Sequence, residues 1–358
     1  SAMIQLITRK NNFDFLRLSF AITVFVTHLY ELSGFQELKV IPITISYSFL
    51  TSGRAVQGFF IISGILIFMS YERSKSLANY AKKRIRRLYP GYIMNIIIIF
   101  LLLSIVSDYS LLKYLLHPES REFVFHNLLF LNDRWDLPGV FKLNKLSAVN
   151  GALWTLQLEL LFYMFVPVVA WFGRRIGNLR ILFLVYIVSS IYMTWLISNG
   201  QQAEALKFPS QLSYFMAGAL CYYCIEIISK YRFIFLGLAI LILTINRLEI
   251  GINLLFIEPL ALAVCVIFFA CFLPYFGNFM KYGDFSYGIY IYHFPLIQLL
   301  LALKTDWSPY KLLLISSLIV LGSAIASWHI VEKRFLMPST RSKLKKDNLN
   351  NTIELAAP

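Results

Sequence analysis

An all-α integral membrane protein of about ten transmembrane helices, with both termini on the cytoplasmic side, is the fold this sequence predicts. Three observations predict it. The 358-residue chain is 58% hydrophobic and only 15% charged, with a mean hydropathy of +0.66. Apolar runs close to the roughly 20 residues that carry a helix across a bilayer recur along its length. None of them alternates with a period of two, so the spans are expected as helices rather than barrel strands.

In chain order the spans are expected at 13–32, 48–70, 88–107, 151–172, 180–198, 209–229, 232–248, 252–273, 285–303 and 311–331, each bounded by charge, proline or glycine. Lysine and arginine set the orientation. They gather at 73–87 and 333–346, with smaller groups at 9–10, 174–180, 230–232 and 281, all on one side if the N-terminus is inside. The same bias accounts for the net charge of +14, which in a soluble chain would suggest nucleic acid; no nucleic-acid partner is expected. The run 72–90 mixes apolar and basic positions and fits an amphipathic helix at the cytoplasmic interface. It serves either as a lipid-headgroup anchor or as an anion site, and charge density does not separate the two. Residues 1–340 thus form one multispan domain, with an outer loop at 108–150. Residues 341–358, rich in Lys, Asn and Asp, are expected as a disordered cytoplasmic tail. Cys221, Cys224, Cys265 and Cys271 all fall inside spans, where a thiol packs as a small apolar group. The first apolar segment carries ionisable groups and lacks a small-residue cleavage site, so no cleavable signal peptide is expected.

The first span holds the clearest departure from a lipid-facing helix. Arg17 and His28 lie eleven positions apart, a rotation about 20° beyond three full turns and a rise of ~16 Å. Asp14, Arg17, Ala21, Val24, His28 and Glu31 therefore share a stripe. Buried ionisable groups are costly in a membrane and mark a polar path through the bundle. For either residue alone the competing account is a snorkelling arginine and one interhelical histidine bond. Glu159 in the fourth span is a further buried acid, whose structural role would be an ion pair such as one to Arg54. His293, in the middle of the ninth span, is on its own more often a bonded core histidine.

Read in order, these segments resemble the membrane-bound acyltransferase-3 family of bacterial envelope-modifying enzymes, of the form without an appended SGNH domain. "FDFLRLSFAITVFVTH" resembles the opening helix with its Arg, ten residues, His pattern, and "VQGFFIISGILIF" the "FF…SG" segment. "KKRIRRLYPGY" resembles the basic stretch with Arg-x-x-Arg, here Arg84 and Arg87. "LWTLQLELLFY" resembles "WSLSVEEQFY", "FSYGIYIYHFPLI" the "SYxLYLxH" helix, and "VEKRF" the closing segment. Gln57 stands where the family often has Asp, Leu160 replaces the second Glu of "EE", and Arg334 stands where Pro is common.

The resemblance implies an inner-membrane O-acyltransferase that moves an acyl group, acetyl foremost, from a cytosolic acyl-CoA to a sugar hydroxyl of an envelope glycan or lipid-linked glycan. His28 is the implied base or acyl carrier, with Glu159 of the matched motif orienting it, or Glu31, which only the helix geometry proposes. Arg17, Arg84, Arg86 and Arg87 are the expected donor-binding cations, since guanidinium groups pair bidentately with phosphate. Asp14, Ser286, Tyr290 and His293 are further candidates. Acetyl-CoA enters as cosubstrate, so no bound cofactor and no metal are expected; membrane lipid is the remaining partner. Trp135, His117 and His126 make 108–150 either an acceptor-binding region or an ordinary lid. The competing class is a proton-coupled transporter or flippase, which shares buried ionisable groups. Against it stand the motif order and the lack of an evident inverted repeat.

Overall fold

A computed structural model describes residues 7, 10–39, 51–248, 253–303 and 307–336, and among these every regular element is a helix. The expected tail at 341–358 lies outside the described residues. Seven helical stretches are long and apolar enough to cross a membrane: Phe13–Ser33 (α1), Ser52–Glu72 (α2), Leu77–Val106 (built on α3, Leu77–Leu103), Trp154–Ile176 (α6), Asn178–Ser198 (α7), Phe285–Ala302 (α13) and Pro309–Leu336 (opening with α14, Pro309–Ser327). The three other expected spans also fall on helices, but shorter ones: Phe208–Tyr223 (α9), Arg232–Leu248 (α11) and Glu258–Cys271 (α12). α12 has 14 residues, so it rises only ~21 Å against a hydrocarbon thickness of ~30 Å. α9 is buried along almost its whole length, which makes it the central post of the bundle. The short α-helices among the described residues are α4 (Leu111–Leu116), α5 (Pro118–Leu128), α8 (Gln202–Ala205), α10 (Ile225–Lys230) and α15 (Lys333–Leu336).

Small residues let the central helices touch. A Cβ on Gly64 of α2 would lie 2.0 Å from the Phe215 carbonyl oxygen of α9, and one on Gly218 would lie 2.1 Å from that of Ile61. Backbone therefore packs directly on backbone, the arrangement small residues permit where lipid offers no hydrophobic drive to association. The start of α1 is fixed by Asn12, whose amide donates to the carbonyls of Phe269 (3.2 Å) and Pro274 (3.0 Å) and accepts from Phe276 N–H at 2.9 Å.

The sequence suggests a boundary near residue 88 between a basic segment and a span. Instead α3 runs as one 27-residue helix from the Ser76 cap through Pro90, a rise of ~40 Å. Proline removes the hydrogen bond to the carbonyl four residues earlier. Here that carbonyl belongs to Arg86, at an exposed position, so the helix continues at little cost. Pro167 of α6 and Pro295 of α13 also lie inside helices, and both freed carbonyls are answered. The Tyr80 hydroxyl donates to Tyr163 O at 2.9 Å, while Asn95 and Asn150 both donate to Ile291 O, at 3.1 and 2.9 Å.

Between α5 and α6 the backbone is irregular. Phe130, Asn132 and Phe141 take left-handed conformations (φ 58°, 50° and 55°), which costs a non-glycine residue and persists only where packing enforces it. The Phe130 ring stacks on Tyr92 at 3.8 Å. Further on, Gln298 of α13 donates to the carbonyls of Leu146 (2.8 Å) and Ala148 (2.9 Å), and Asn144 donates back to Gln298 at 2.9 Å. The segment thus folds down against α13, where side-chain amides satisfy non-helical backbone as burial requires.

Candidate active site

The α1 stripe faces inward over most of its length. Ala21 and Val24 are fully buried, Asp14, Arg17 and His28 are half-buried, and only Glu31 is exposed. Its two ends meet different surroundings, a basic end marked by Arg84, Arg87 and Arg174, and a loop end marked by the irregular segment before α6.

At the basic end Arg17, Arg84, Arg87, Glu159, Tyr163, Ser286, Tyr287, Tyr290 and Thr155 line a cavity of about 100 Å³. Its cations are not equivalent. Arg87 is ion-paired with Asp284 and lies over the Tyr287 ring. Asp284, just ahead of α13, also accepts from the Ser286 hydroxyl at 2.5 Å. Burial alone would raise its carboxyl, but Arg87, Arg17 and the Ser286 hydroxyl hold it down at about 2. Arg84, by contrast, pairs with no carboxylate among the described residues. It donates to the Ser70 hydroxyl at 3.1 Å, lies 5.6 Å from the Tyr163 ring centre, and has a buried Nε without a partner. Arg17 makes no hydrogen bond or ion pair among the described residues. Glu159 accepts a hydrogen bond from Tyr163 one turn along α6. Two guanidinium groups with spare donors beside a cavity have the chemistry that pairs with phosphate or carboxylate oxygens, although Glu159 lines the same cavity.

The lining includes Thr155 and Tyr290, whose hydroxyls bond at 2.8 Å. Beyond Tyr290 stands His293, with ring centres 6.0 Å apart. His28 Nδ1 lies 2.8 Å from His293 Nε2, the two rings are within 8° of parallel, and His293 Nδ1 lies 3.1 Å from Ile289 O. The α1 and α13 motifs therefore meet as a histidine pair.

The remaining expectations divide. Arg86 is exposed and does not line the cavity, because it lies 100° around α3 from Arg87. Neither Glu31 nor Glu159 hydrogen-bonds His28. Lys145 donates at 2.9 Å to the Glu31 backbone carbonyl. Arg54 pairs with Glu258 at 2.7 Å, not with Glu159, and Asn246 holds the second Glu258 oxygen at 2.7 Å. His126 pairs with Asp133 at 2.7 Å, His117 caps α5, and Trp135 is exposed. Sequence reading missed Asp284, Asn95, Asn150 and Ser70. The prolines carried a usable signal for the asparagines, since each intramembrane proline releases a carbonyl that demands a donor. It also left Glu332 undeveloped. That side chain is buried in a π-helical turn, Trp328–Glu332, where Ser327 donates to one oxygen at 2.8 Å and the other has no partner.

The helical bundle thus sets a cavity lined by cations beside a half-buried His28 and a fully buried His293. The acyltransferase-3 family model, described as an acyltransferase domain, matches residues 10–328, and the chain belongs to that family. It is 28% identical over 348 residues to an O-acetyl transferase of Shigella phage Sf6, covering 93% of this chain and 98% of that protein. It is 30% identical over 177 residues to nodulation protein 10 of Rhizobium leguminosarum bv. viciae, covering 46% of each. No solved structure matches the chain. The protein is thus a multi-pass membrane O-acyltransferase.

Proposed function

We propose that the protein is an O-acetyltransferase of the bacterial inner membrane, taking acetyl from cytosolic acetyl-CoA and passing it to a sugar hydroxyl of an envelope glycan. In this reading the basic end faces the cytoplasm. The observation that carries it is the cavity lined by Arg17 and Arg84, neither of them ion-paired to a carboxylate among the described residues, whose wall includes Tyr290, the neighbour of His293. Phosphate oxygens of the donor meet these two cations, and Arg87, already neutralised by Asp284, frames the entrance. The uncharged pantetheine arm follows the cavity past Tyr290. The ~16 Å rise from Arg17 to His28 is comparable to the length of that arm.

At the far end His28 accepts the proton of the acceptor hydroxyl as its oxygen attacks the thioester carbonyl. The C–S bond breaks, and the leaving thiolate takes the proton back from the imidazolium. An alternative route places the acetyl group on His28 first and then passes it to the hydroxyl. The phage relative's name, O-acetyl transferase, supports acetyl as the group moved.

The test is thermal stability in detergent across an acetyl-CoA titration, paired with thiol release in the presence of acceptor glycan. Ligand at a hundredfold excess over its Kd stabilises by about 2.7 kcal/mol. We expect that shift in the parent and in His28→Gln, and its loss in the double variant Arg17→Gln/Arg84→Gln. Thiol release that persists at the parental rate in His28→Gln overturns both roles given to this residue.

A further inference from the structure

We propose that His293 is a positioning residue that holds the His28 imidazole in a single tautomer, with its proton on Nδ1 and Nε2 bare for the reaction. The proposal rests on the reading of His28 as the reacting group and adds a second residue to it. It follows from the order of donors and acceptors. The Ile289 carbonyl can only accept, so the 3.1 Å contact puts a proton on His293 Nδ1. A neutral imidazole has one N–H, which leaves His293 Nε2 as an acceptor. That nitrogen lies 2.8 Å from His28 Nδ1, so His28 Nδ1 must carry the proton in the neutral pair. His28 Nε2 is then the unprotonated nitrogen, as a base or nucleophile needs.

The surroundings keep this arrangement from rotating away. His293 has no exposed surface. The Phe25, Tyr290 and Phe294 rings stand edge-on to it at 6.4, 6.0 and 6.4 Å, and Phe294 also meets His28 at 5.3 Å. In a serine-protease triad a buried carboxylate performs the same service for its histidine. Here no carboxylate among the described residues hydrogen-bonds His28, and a neutral histidine anchored on a helix carbonyl takes that place without adding charge to the site.

The experiment is ¹⁵N NMR of histidine-labelled protein in lipid, in which the bare and proton-bearing nitrogens of a neutral imidazole give well-separated resonances. The chain has five histidines, and the spectrum of His28→Gln assigns His28 by difference. In the parent we expect His28 with protonated Nδ1 and bare Nε2. His293→Phe keeps a ring but removes the acceptor, so we expect mixed tautomers at His28 and a kcat about 10²-fold lower, with the KM for acetyl-CoA within about twofold. His293→Gln places an amide oxygen near the position of Nε2 and should recover kcat to within about tenfold of the parent. A parent His28 protonated on Nε2 overturns the proposal without recourse to any variant. So does an equal loss in the Phe and Gln variants with the His28 tautomer unmoved, which marks a merely structural role. If His28→Gln retains transfer, the reading of His28 fails instead, while the tautomer measurement still decides what His293 does to its neighbour.

Discussion

The two ends of the α1 stripe use opposite physics. At the basic end charge is dense and partly paired, with Arg87 on Asp284, Arg17 interacting through space with Asp284, Asp14 and Glu159 without a direct ion pair, and Arg84 ion-paired to no carboxylate among the described residues. At the loop end, apart from Glu31 and Lys145 near the surface, the polar groups are amides and imidazoles bonded to one another or to backbone carbonyls. A polyanion from water needs uncompensated cations near the membrane surface. A base needs the reverse, a site where a proton is not already held by a nearby carboxylate. Separating the two along one helix lets each be tuned without disturbing the other, and substitutions should therefore sort into binding and chemistry by their height in the bundle.

The largest expected effect breaks the chemistry and spares the binding. His28→Gln should lower acetyl transfer by about 10²–10⁴-fold, measured as thiol release with acceptor, while the acetyl-CoA thermal shift stays intact. Next comes Asp284→Asn, which leaves the buried Arg87 guanidinium without its counter-ion and should cost about 3–5 kcal/mol of stability. Its sign with pH is fixed. The folded carboxyl is depressed to about 2, so its contribution is complete above the unfolded value of about 3.9 and is lost only as pH falls toward 2. The gap between parent and Asp284→Asn should therefore be constant from about pH 5 to about pH 8, as read by denaturation midpoints in detergent. A gap that closes across that range would show that the carboxyl is not ionised there.

A smaller effect sharpens the comparison from the other side. Arg17→Gln and Arg84→Gln each remove a charged donor worth about 1.5–3 kcal/mol, so the acetyl-CoA Kd should weaken by roughly 10- to 100-fold each. The acetyl-transfer kcat at saturating donor should change much less. Arg86→Gln, on the exposed face of α3, should change Kd least of the three. An equal loss for all three would make the cavity irrelevant to the donor and point to the outer surface of the basic segment.

How much of this was legible in the sequence follows from what periodicity can carry. Arg17 and His28 share a face because helical rotation is fixed, and the stripe from Asp14 to His28 turns inward as expected. The same rotation separated Arg86 from Arg84 and Arg87, so its distance from the cavity was readable too. What periodicity cannot carry is the pairing between helices far apart in sequence. His28 meets His293 across 265 residues, and Arg54 meets Glu258 rather than Glu159, since these partners depend on how α1, α2, α12 and α13 pack. The counting of spans by hydropathy met a similar limit. α9 is apolar because it is the bundle's core, and a core helix and a lipid-facing helix have the same composition.

The smallest effect tests how the loop end is held. Pro295 cannot supply the N–H that Ile291 O would receive in an unbroken helix, and the amides of Asn95 and Asn150 take its place at 3.1 and 2.9 Å. Either amide alone keeps the carbonyl satisfied, so Asn150→Ala should cost about 0.5–1.5 kcal/mol, one ordinary hydrogen bond. Asn95→Ala/Asn150→Ala leaves a buried carbonyl with no donor, which adds about 1–3 kcal/mol. Adding Pro295→Ala to that double variant returns a backbone N–H four residues from Ile291 and should recover most of the added loss. In the parent the same Pro295→Ala change finds the carbonyl already bonded and should gain little. Measured as thermal midpoints of the four proteins, this cycle gives a coupling of opposite sign to the cost of the double variant. Simple additivity would mean that the asparagines hold the irregular segment for reasons other than the proline.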